Sequence, residues 1–310
     1  MSGPPERAGG RQSAPARARV GHLGPAGTFT EEALLTSAQP DAIEPVALAS
    51  IYDTVMALRR GEVDWAIVPV ENSLEGSINV TLDLLAEEAG EVEIVGEALL
   101  RVSHALICAA PQALADIDTV LTHPQVPGQC TRFLRGELGR ARVLAASSTA
   151  EAVRSVVSQA TPGWAAIGTK LAASIYGGTV VRERIEDRPD NETRFAWLGA
   201  AGTRAGQAPL RVNGAQRWKT SLVFWGAGAG RPGWLVRCLD EFARREINLT
   251  KIESRPRRQG LGSYMFFADL VGRSDEQPVA AAIAGAGEIC EEVRVLGSYR
   301  AALQPTSEPA

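Results

Sequence analysis

Apolar and polar positions alternate with two different periods along this chain, and the first two-thirds read as strand and helix in turn. A near-continuous apolar run at residues 63–70 predicts a strand buried on both faces, and further strands are expected at 92–99, 102–108 and 164–167. Shorter strands are expected at 19–23, 119–122, 142–146, 180–185 and 195–199. Helices are expected from Thr28 through Leu35, over 51–61, 79–88 and 130–138, from Ser148 through Ser158, and over 169–176. Thr28 with Glu31, and Ser148 with Glu151, have the spacing of a capping box. This βαβα alternation predicts parallel α/β sheets in two lobes with a ligand cleft between them.

After a Gly/Ala-rich stretch the pattern changes. A strand at 219–225, a helix at 232–246, strands at 249–253 and 264–271, a helix at 279–289 and a strand at 293–296 give the ferredoxin-like order βαββαβ. The expected layout is therefore a tail (1–18), an α/β domain of two lobes (19–200), a linker (201–217), a smaller domain (218–300) and a second tail (301–310).

Composition narrows the chemistry. A net charge of −4 argues against nucleic acid as a main partner, and no apolar run is long enough to span a membrane. The first residues are rich in Gly, Pro, Ala and Arg without an apolar core, so no secretory signal is read there. Cys108, Cys130, Cys238 and Cys290 are far apart, and with only three His the chain shows no metal-ligand spacing. Reduced thiols and a cytoplasmic location are expected, with no metal and no cofactor.

Two polar segments stand at the ends of predicted strands, where open α/β sheets bind ligands. One is Glu71-Asn72-Ser73, directly after the strand at 63–70. The other is Asn191-Glu192-Thr193-Arg194-Phe195, at the junction of an acidic loop and a buried strand. Arg194 has the planar fork that suits a carboxylate, and Thr193 can donate one hydrogen bond to an oxygen. Gly24-Pro25-Ala26-Gly27-Thr28 feeds a helix N-terminus with free backbone N–H groups, although Glu31 and Glu32 compete with a bound anion there. Read one by one, each segment also fits an ordinary turn, cap or surface ion pair.

Taken together and in order, Gly24-Pro25-Ala26-Gly27-Thr28-Phe29-Thr30, Pro69-Val70-Glu71-Asn72-Ser73, His123-Pro124-Gln125 with Gln129-Cys130, Ser147-Ser148-Thr149-Ala150 and Asn191-Glu192-Thr193-Arg194-Phe195 resemble the prephenate dehydratase family. Glu253-Ser254-Arg255-Pro256 resembles the signature of that family's C-terminal ACT regulatory domain. The resemblance covers about residues 19–300.

It implies a bilobal catalytic domain of the type II periplasmic-binding-protein kind, and conversion of prephenate to phenylpyruvate, water and carbon dioxide. It also implies phenylalanine as an effector of the ACT domain, and a homodimer or homotetramer. Thr193, Arg194 and Phe195 would be catalytic. Arg194 would hold a carboxylate, Thr193 would donate to the departing hydroxyl, and Phe195 would pack the core or flank the ring. Thr28, Glu71, Asn72, Ser73, Gln125, Ser148 and Thr149 would line the substrate site. Glu71 would act as an acid only if burial raised its pKa.

Gly233, Trp234, Leu235, Val236 and Glu253 to Pro256 would form the effector site. Two departures from the family pattern matter. Val126-Pro127-Gly128 is expected to delay the helix after His123, and Trp234 replaces a small residue, which would weaken phenylalanine binding or alter its selectivity. Arogenate dehydratase, a non-catalytic small-molecule-binding protein and a ligand sensor are the alternatives.

Overall fold

The computed structural model describes residues 17–302 except 89, 204–205, 212–216, 227–230 and 261. The two tails, apart from residues 17–18 and 301–302, and residues 204–205 and 212–216 of the linker lie outside the described residues.

The first lobe contains β1 (Ala18–Leu23), α1 (Phe29–Ser37), β2 (Ile43–Leu48), α2 (Ile51–Arg59), β3 (Trp65–Asn72), β4 (Gly76–Ser77), α3 (Asn79–Asp83) and β5 (Val92–Arg101). A π-helical turn, Leu84–Glu88, continues α3. The second lobe contains β6 (Ala105–Cys108), β7 (Thr119–Thr122), α4 (Val126–Gln129), α5 (Thr131–Glu137), β8 (Arg142–Ala145), α6 (Thr149–Gln159), β9 (Trp164–Gly168), α7 (Lys170–Tyr176) and β10 (Thr179–Arg182). The chain then returns to the first lobe as β11 (Glu192–Ala200).

The sheets are ordered β2-β1-β3-β11-β5, with β4 beside β3, and β10-β6-β9-β7-β8. They are mixed rather than parallel. β1, β2 and β3 run parallel, as do β7, β8 and β9, but β11 lies antiparallel between β3 and β5. β6 and β10 are likewise antiparallel to their neighbours. The exceptions flank the two crossings between lobes, where direction is set by the chain's exit and return rather than by a βαβ crossover. At those crossings Val102 N donates to Asn191 O at 2.8 Å, which ties the two connecting segments together. Two mixed sheets joined by two crossings give the bilobal α/β arrangement that the sequence predicts.

Local chemistry explains the helix starts. Thr28 and Ser148 cap α1 and α6 by accepting from Glu31 N and Glu151 N. The helix after His123 is not delayed: α4 begins at Val126 with Pro127 in its first turn, where a missing N–H costs nothing. β2 was not legible as a strand. It is an edge strand containing Pro45, with Glu44 and Pro45 exposed.

The third unit contains β12 (Trp218–Trp225), α8 (Trp234–Ala243), β13 (Leu249–Pro256), β14 (Tyr264–Val271), α9 (Gln277–Gly287) and β15 (Glu292–Arg300). Its antiparallel sheet is ordered β13-β14-β12-β15, which is the ferredoxin-like topology. One face carries Leu222, Phe224, Ala268 and Leu270 against α8 and α9. The other carries Val223, Met265, Phe267, Leu296 and Tyr299 into a core shared with Val68, Val70, Ala196 and Leu198 of the first lobe. The described part of the linker is docked as well: Ala208 is buried, Gln39 N donates to Pro209 O and Arg211 N donates to Ser37 O. The C-terminal sheet is therefore packed on the back of the first lobe.

Candidate active site

A cleft of about 330 Å³ opens between the lobes. The first lobe supplies Leu23, Thr28, Phe29, Thr30, Asn72, Glu75, Ile78 and Thr193; the second supplies His104, His123, Gln125, Val126, Gln129, Ser147, Ser148 and Thr149, with Val102 at the crossing. Among these described lining residues none is Lys or Arg. The groups suited to an anion are backbone N–H groups in the first turns of α1 and α6, and at α1 the Glu31 carboxylate competes by accepting from Gly27 N.

Thr193 and Asn72 are paired across β11 and β3. Asn72 Nδ2 donates to Thr193 Oγ1 at 2.9 Å and to Asn191 Oδ1 at 2.8 Å. The amide cannot be turned over, because Asn72 Oδ1 accepts from Leu74 N at 2.9 Å and from Glu75 N at 3.0 Å. With one lone pair of Thr193 Oγ1 occupied by Asn72, the hydroxyl keeps its own hydrogen to donate. Ser73 braces the same corner: its hydroxyl accepts from Glu192 N at 3.0 Å.

Gln129 continues the network into the second lobe. Its Oε1 accepts from Asn191 Nδ2 at 3.2 Å and lies 3.0 Å from His104 Nε2, and its Nε2 donates to Glu75 Oε1 at 3.2 Å. His104 is buried, with its ring edge-to-face with Phe29. Burial pushes its pKa down, against the Gln129 hydrogen bond and nearby Glu186, so it is neutral at neutral pH. Glu75, His104, Gln129 and Asn191 were not singled out from the sequence as individual site residues. Glu75 and Asn191 had a usable signal, since each belongs to a polar segment that ends or begins a strand. Gln129 stood in a segment that carries the family resemblance, and His104 had no signal beyond its residue type.

The structure brings Thr28, Asn72, Gln125, Ser148, Thr149 and Thr193 together at the cleft. It does not bring Arg194, Phe195 or Glu71 there. Arg194 follows Thr193 on an extended strand and so faces the opposite way. Its guanidinium, 12% exposed, pairs with Asp269 at 2.9 Å, Glu71 at 3.2 Å and Glu97 at 3.4 Å. Burial would lower its pKa, but Asp269, with Tyr299, Glu97 and Glu71, outweighs burial and raises it.

Glu71 shares that face because the β3–β11 register shifts between Arg194 and Phe195, leaving Val70 as an extra residue on β3. Its side chain is 38% exposed and pairs with Arg194 and Lys251. This corrects two expectations: Arg194 as the holder of a substrate carboxylate, and Glu71 as a cleft acid. Phe195 is core, packed with Val20, Ile67 and Trp197.

In the C-terminal domain, Gly233, Trp234, Leu235 and Val236 line a recess of about 210 Å³ with Arg231, Gly262, Tyr264 and Phe266. The Trp234 ring is turned inward, 3% exposed, against Phe224 and Phe266, and its Nε1 donates to Ile289 O at 3.2 Å. That placement removes the steric reason for expecting weakened effector binding. Glu253 and Arg255 face the first lobe rather than the recess. Glu253 Oε2 accepts from Ser77 Oγ, and Arg255 binds Asp83 through two nitrogens. Ser254 and Pro256 alternate with them along β13.

No group of His, Cys, Asp and Glu arranged to hold a metal occurs among the described residues, and no described helix is long and apolar enough to cross a membrane.

Comparison with known proteins gives the family. A family model described as "Prephenate dehydratase" matches residues 20–203. A prephenate dehydratase of Mycolicibacterium vanbaalenii is 38% identical over 293 residues, covering 90% of each chain. A crystal structure of prephenate dehydratase from Arthrobacter aurescens in complex with L-Phe superposes with a TM-score of 0.80 at 34% identity, covering 94% of this chain and 92% of that one. A structure described as a novel type of quorum quenching acylase superposes with a TM-score of 0.79 at 25% identity, covering 92% and 98%. The chain belongs to the prephenate dehydratase family.

Proposed function

We propose that the protein converts prephenate to phenylpyruvate, water and carbon dioxide in phenylalanine biosynthesis. The observation that carries this is the Thr193 hydroxyl at the cleft, held by an Asn72 amide that cannot be reversed. Prephenate carries a ring hydroxyl and a ring carboxylate, and losing both makes the ring aromatic. As the ring carbon–carboxylate bond breaks, its electron pair enters the ring, and hydroxide leaves at the far end with one proton to become water. Thr193 donates its hydrogen bond to that departing oxygen, where charge develops. The substrate's carboxylates meet the first turns of α1 and α6 from opposite lobes. Asn72, Gln125, Ser148 and Thr149 complete the polar lining, Ser73 braces the strand that carries Thr193, and Thr28 caps α1 beneath it. No redox step is involved.

We assign residues 19–200 to catalysis and 218–300 to an ACT regulatory domain. Phenylalanine is the expected effector, because the Arthrobacter aurescens relative was solved with L-Phe. Val236, Ile252 and Tyr264 leave apolar surface exposed beside the recess, which suits a homodimer there. The protein is assigned to the cytoplasm.

The test is to supply prephenate and arogenate in parallel at slightly alkaline pH, with a no-protein blank because prephenate aromatises unaided in acid. Phenylpyruvate formed from prephenate well above the blank supports the reading. Turnover of arogenate alone, or of neither, overturns it. An acylase assay run beside them covers the activity of the quorum-quenching neighbour.

A further inference from the structure

Arg194 stands one residue from the Thr193 hydroxyl and is fastened to a different domain. Its Nη2 lies 2.9 Å from Asp269 Oδ2 on β14. Asp269 is itself held from behind: Ser221 Oγ donates to Asp269 Oδ1 at 2.5 Å and lies 2.7 Å from Tyr299 Oη. Around this pair, Lys219 binds Glu97 at 2.8 Å and Lys251 binds Glu71 at 3.2 Å. Arg194, Lys219 and Lys251 thus balance Glu71, Glu97 and Asp269. A cavity of only about 20 Å³ adjoins them, room for about one water.

The position of Asp269 asks for a reason. Phe267 and Met265, two and four residues earlier on the same face of β14, are buried apolar residues in the shared core. A third apolar side chain would continue the pattern, and a buried ion pair often adds nothing to stability over such packing. What the pair adds is direction. A planar guanidinium gripped by three carboxylates has one place to sit, and the strand that carries it is fixed with it.

We propose that Arg194 is a positioning residue: it pins β11 to Asp269 of the C-terminal domain, and that anchorage sets where the Thr193 hydroxyl stands in the cleft. The C-terminal domain is then a working part of the active site, and a shift of β14 is passed to Thr193 through one side chain. The inference rests on the reading of Thr193 as the group that serves the reaction.

Asp269→Asn in the full chain tests it. The substitution keeps the shape and removes the charge that holds Arg194. Turnover (kcat) is expected to fall about tenfold or more with KM within about twofold, because every group that meets the substrate remains and only its aim is lost. Asp83→Asn is the control, since it breaks another buried link between the same domains, to Arg255 and Arg258, on a different element; kcat should stay within about twofold. If Asp269→Asn fails to fold, Ser221→Ala removes only the hydroxyl behind Asp269 and should lower kcat about threefold or more at unchanged KM.

A kcat within about twofold of the parent in Asp269→Asn, or in Ser221→Ala where the first does not fold, overturns the proposal. So does an equal loss in Asp83→Asn. Thr193→Ala, assayed beside them, separates the two readings. If Thr193→Ala is inactive while Asp269→Asn is unaffected, only the anchorage has failed. If Thr193→Ala is fully active, the site reading has failed and the anchorage with it.

Discussion

On the cleft face of β11, Thr193 is held by one neutral amide, that of Asn72. On the reverse face, one residue along, Arg194 is held by three carboxylates. The difference follows from what each face meets. A dianionic substrate entering the cleft would be repelled by a carboxylate cluster there, and the sheet keeps Glu71, Glu97 and Asp269 on its back. Neutral hydrogen bonds can aim a hydroxyl without setting such a field, whereas ion pairs can hold two domains together with little slack. One strand with a period of two serves both purposes, and the bulge at Val70 lets β3 do the same with Asn72 and Glu71.

The sharpest way to break the comparison is to put a charge on the neutral face. Asn72→Asp replaces the donor beside Thr193 with an acceptor, so the Thr193 hydroxyl turns to the new carboxylate instead of the substrate. Steady-state kinetics should show kcat lower by on the order of a hundredfold. A loss under about threefold would mean that Asn72 does not set the hydroxyl's direction.

A second test concerns packing alone. Trp234→Ala empties a buried ring site between Phe224 and Phe266, and should cost about 3–5 kcal/mol of stability by denaturant unfolding. The Thr193 side of the molecule should keep its turnover while the protein remains folded.

The smallest effect is in acid. His104 at the cleft and His22 on β1 both have pKa values pushed below the usual 6.5 by burial, against neighbouring Glu186 and Glu31. The unfolded chain therefore takes up protons that the folded chain refuses. Stability from this source is full above about pH 6.5 and is lost as pH falls through the folded values. The midpoint of thermal unfolding should drop over that interval, and less steeply in His104→Gln.

Much of this was legible beforehand. The apolar run of β3, the capping pairs at Thr28 and Ser148, and the βαββαβ order of the last unit all follow local rules, and the structure has them. β2 was hidden because an edge strand with a proline lacks both alternation and an apolar run. The separation of Thr193 from Arg194 is legible in the sequence, since adjacent residues on a strand cannot both face a cleft. The direction of Glu71 was not legible, because it depends on a bulge that pairing with β11 creates. Asp269 had no local signal, for its partner lies 75 residues away in another domain. His104 and Gln129 acquire their roles only when the lobes close on each other.

The measurement that tests the account most directly is turnover of prephenate by Thr193→Val beside Thr193→Ser. Valine keeps the shape and loses the hydroxyl, whereas serine keeps the hydroxyl. The account predicts that Thr193→Val loses on the order of a hundredfold or more in kcat without unfolding, and that Thr193→Ser retains most of it. A valine variant that turns over prephenate within a few-fold of the parent would contradict the claim that the cleft-face hydroxyl carries the reaction.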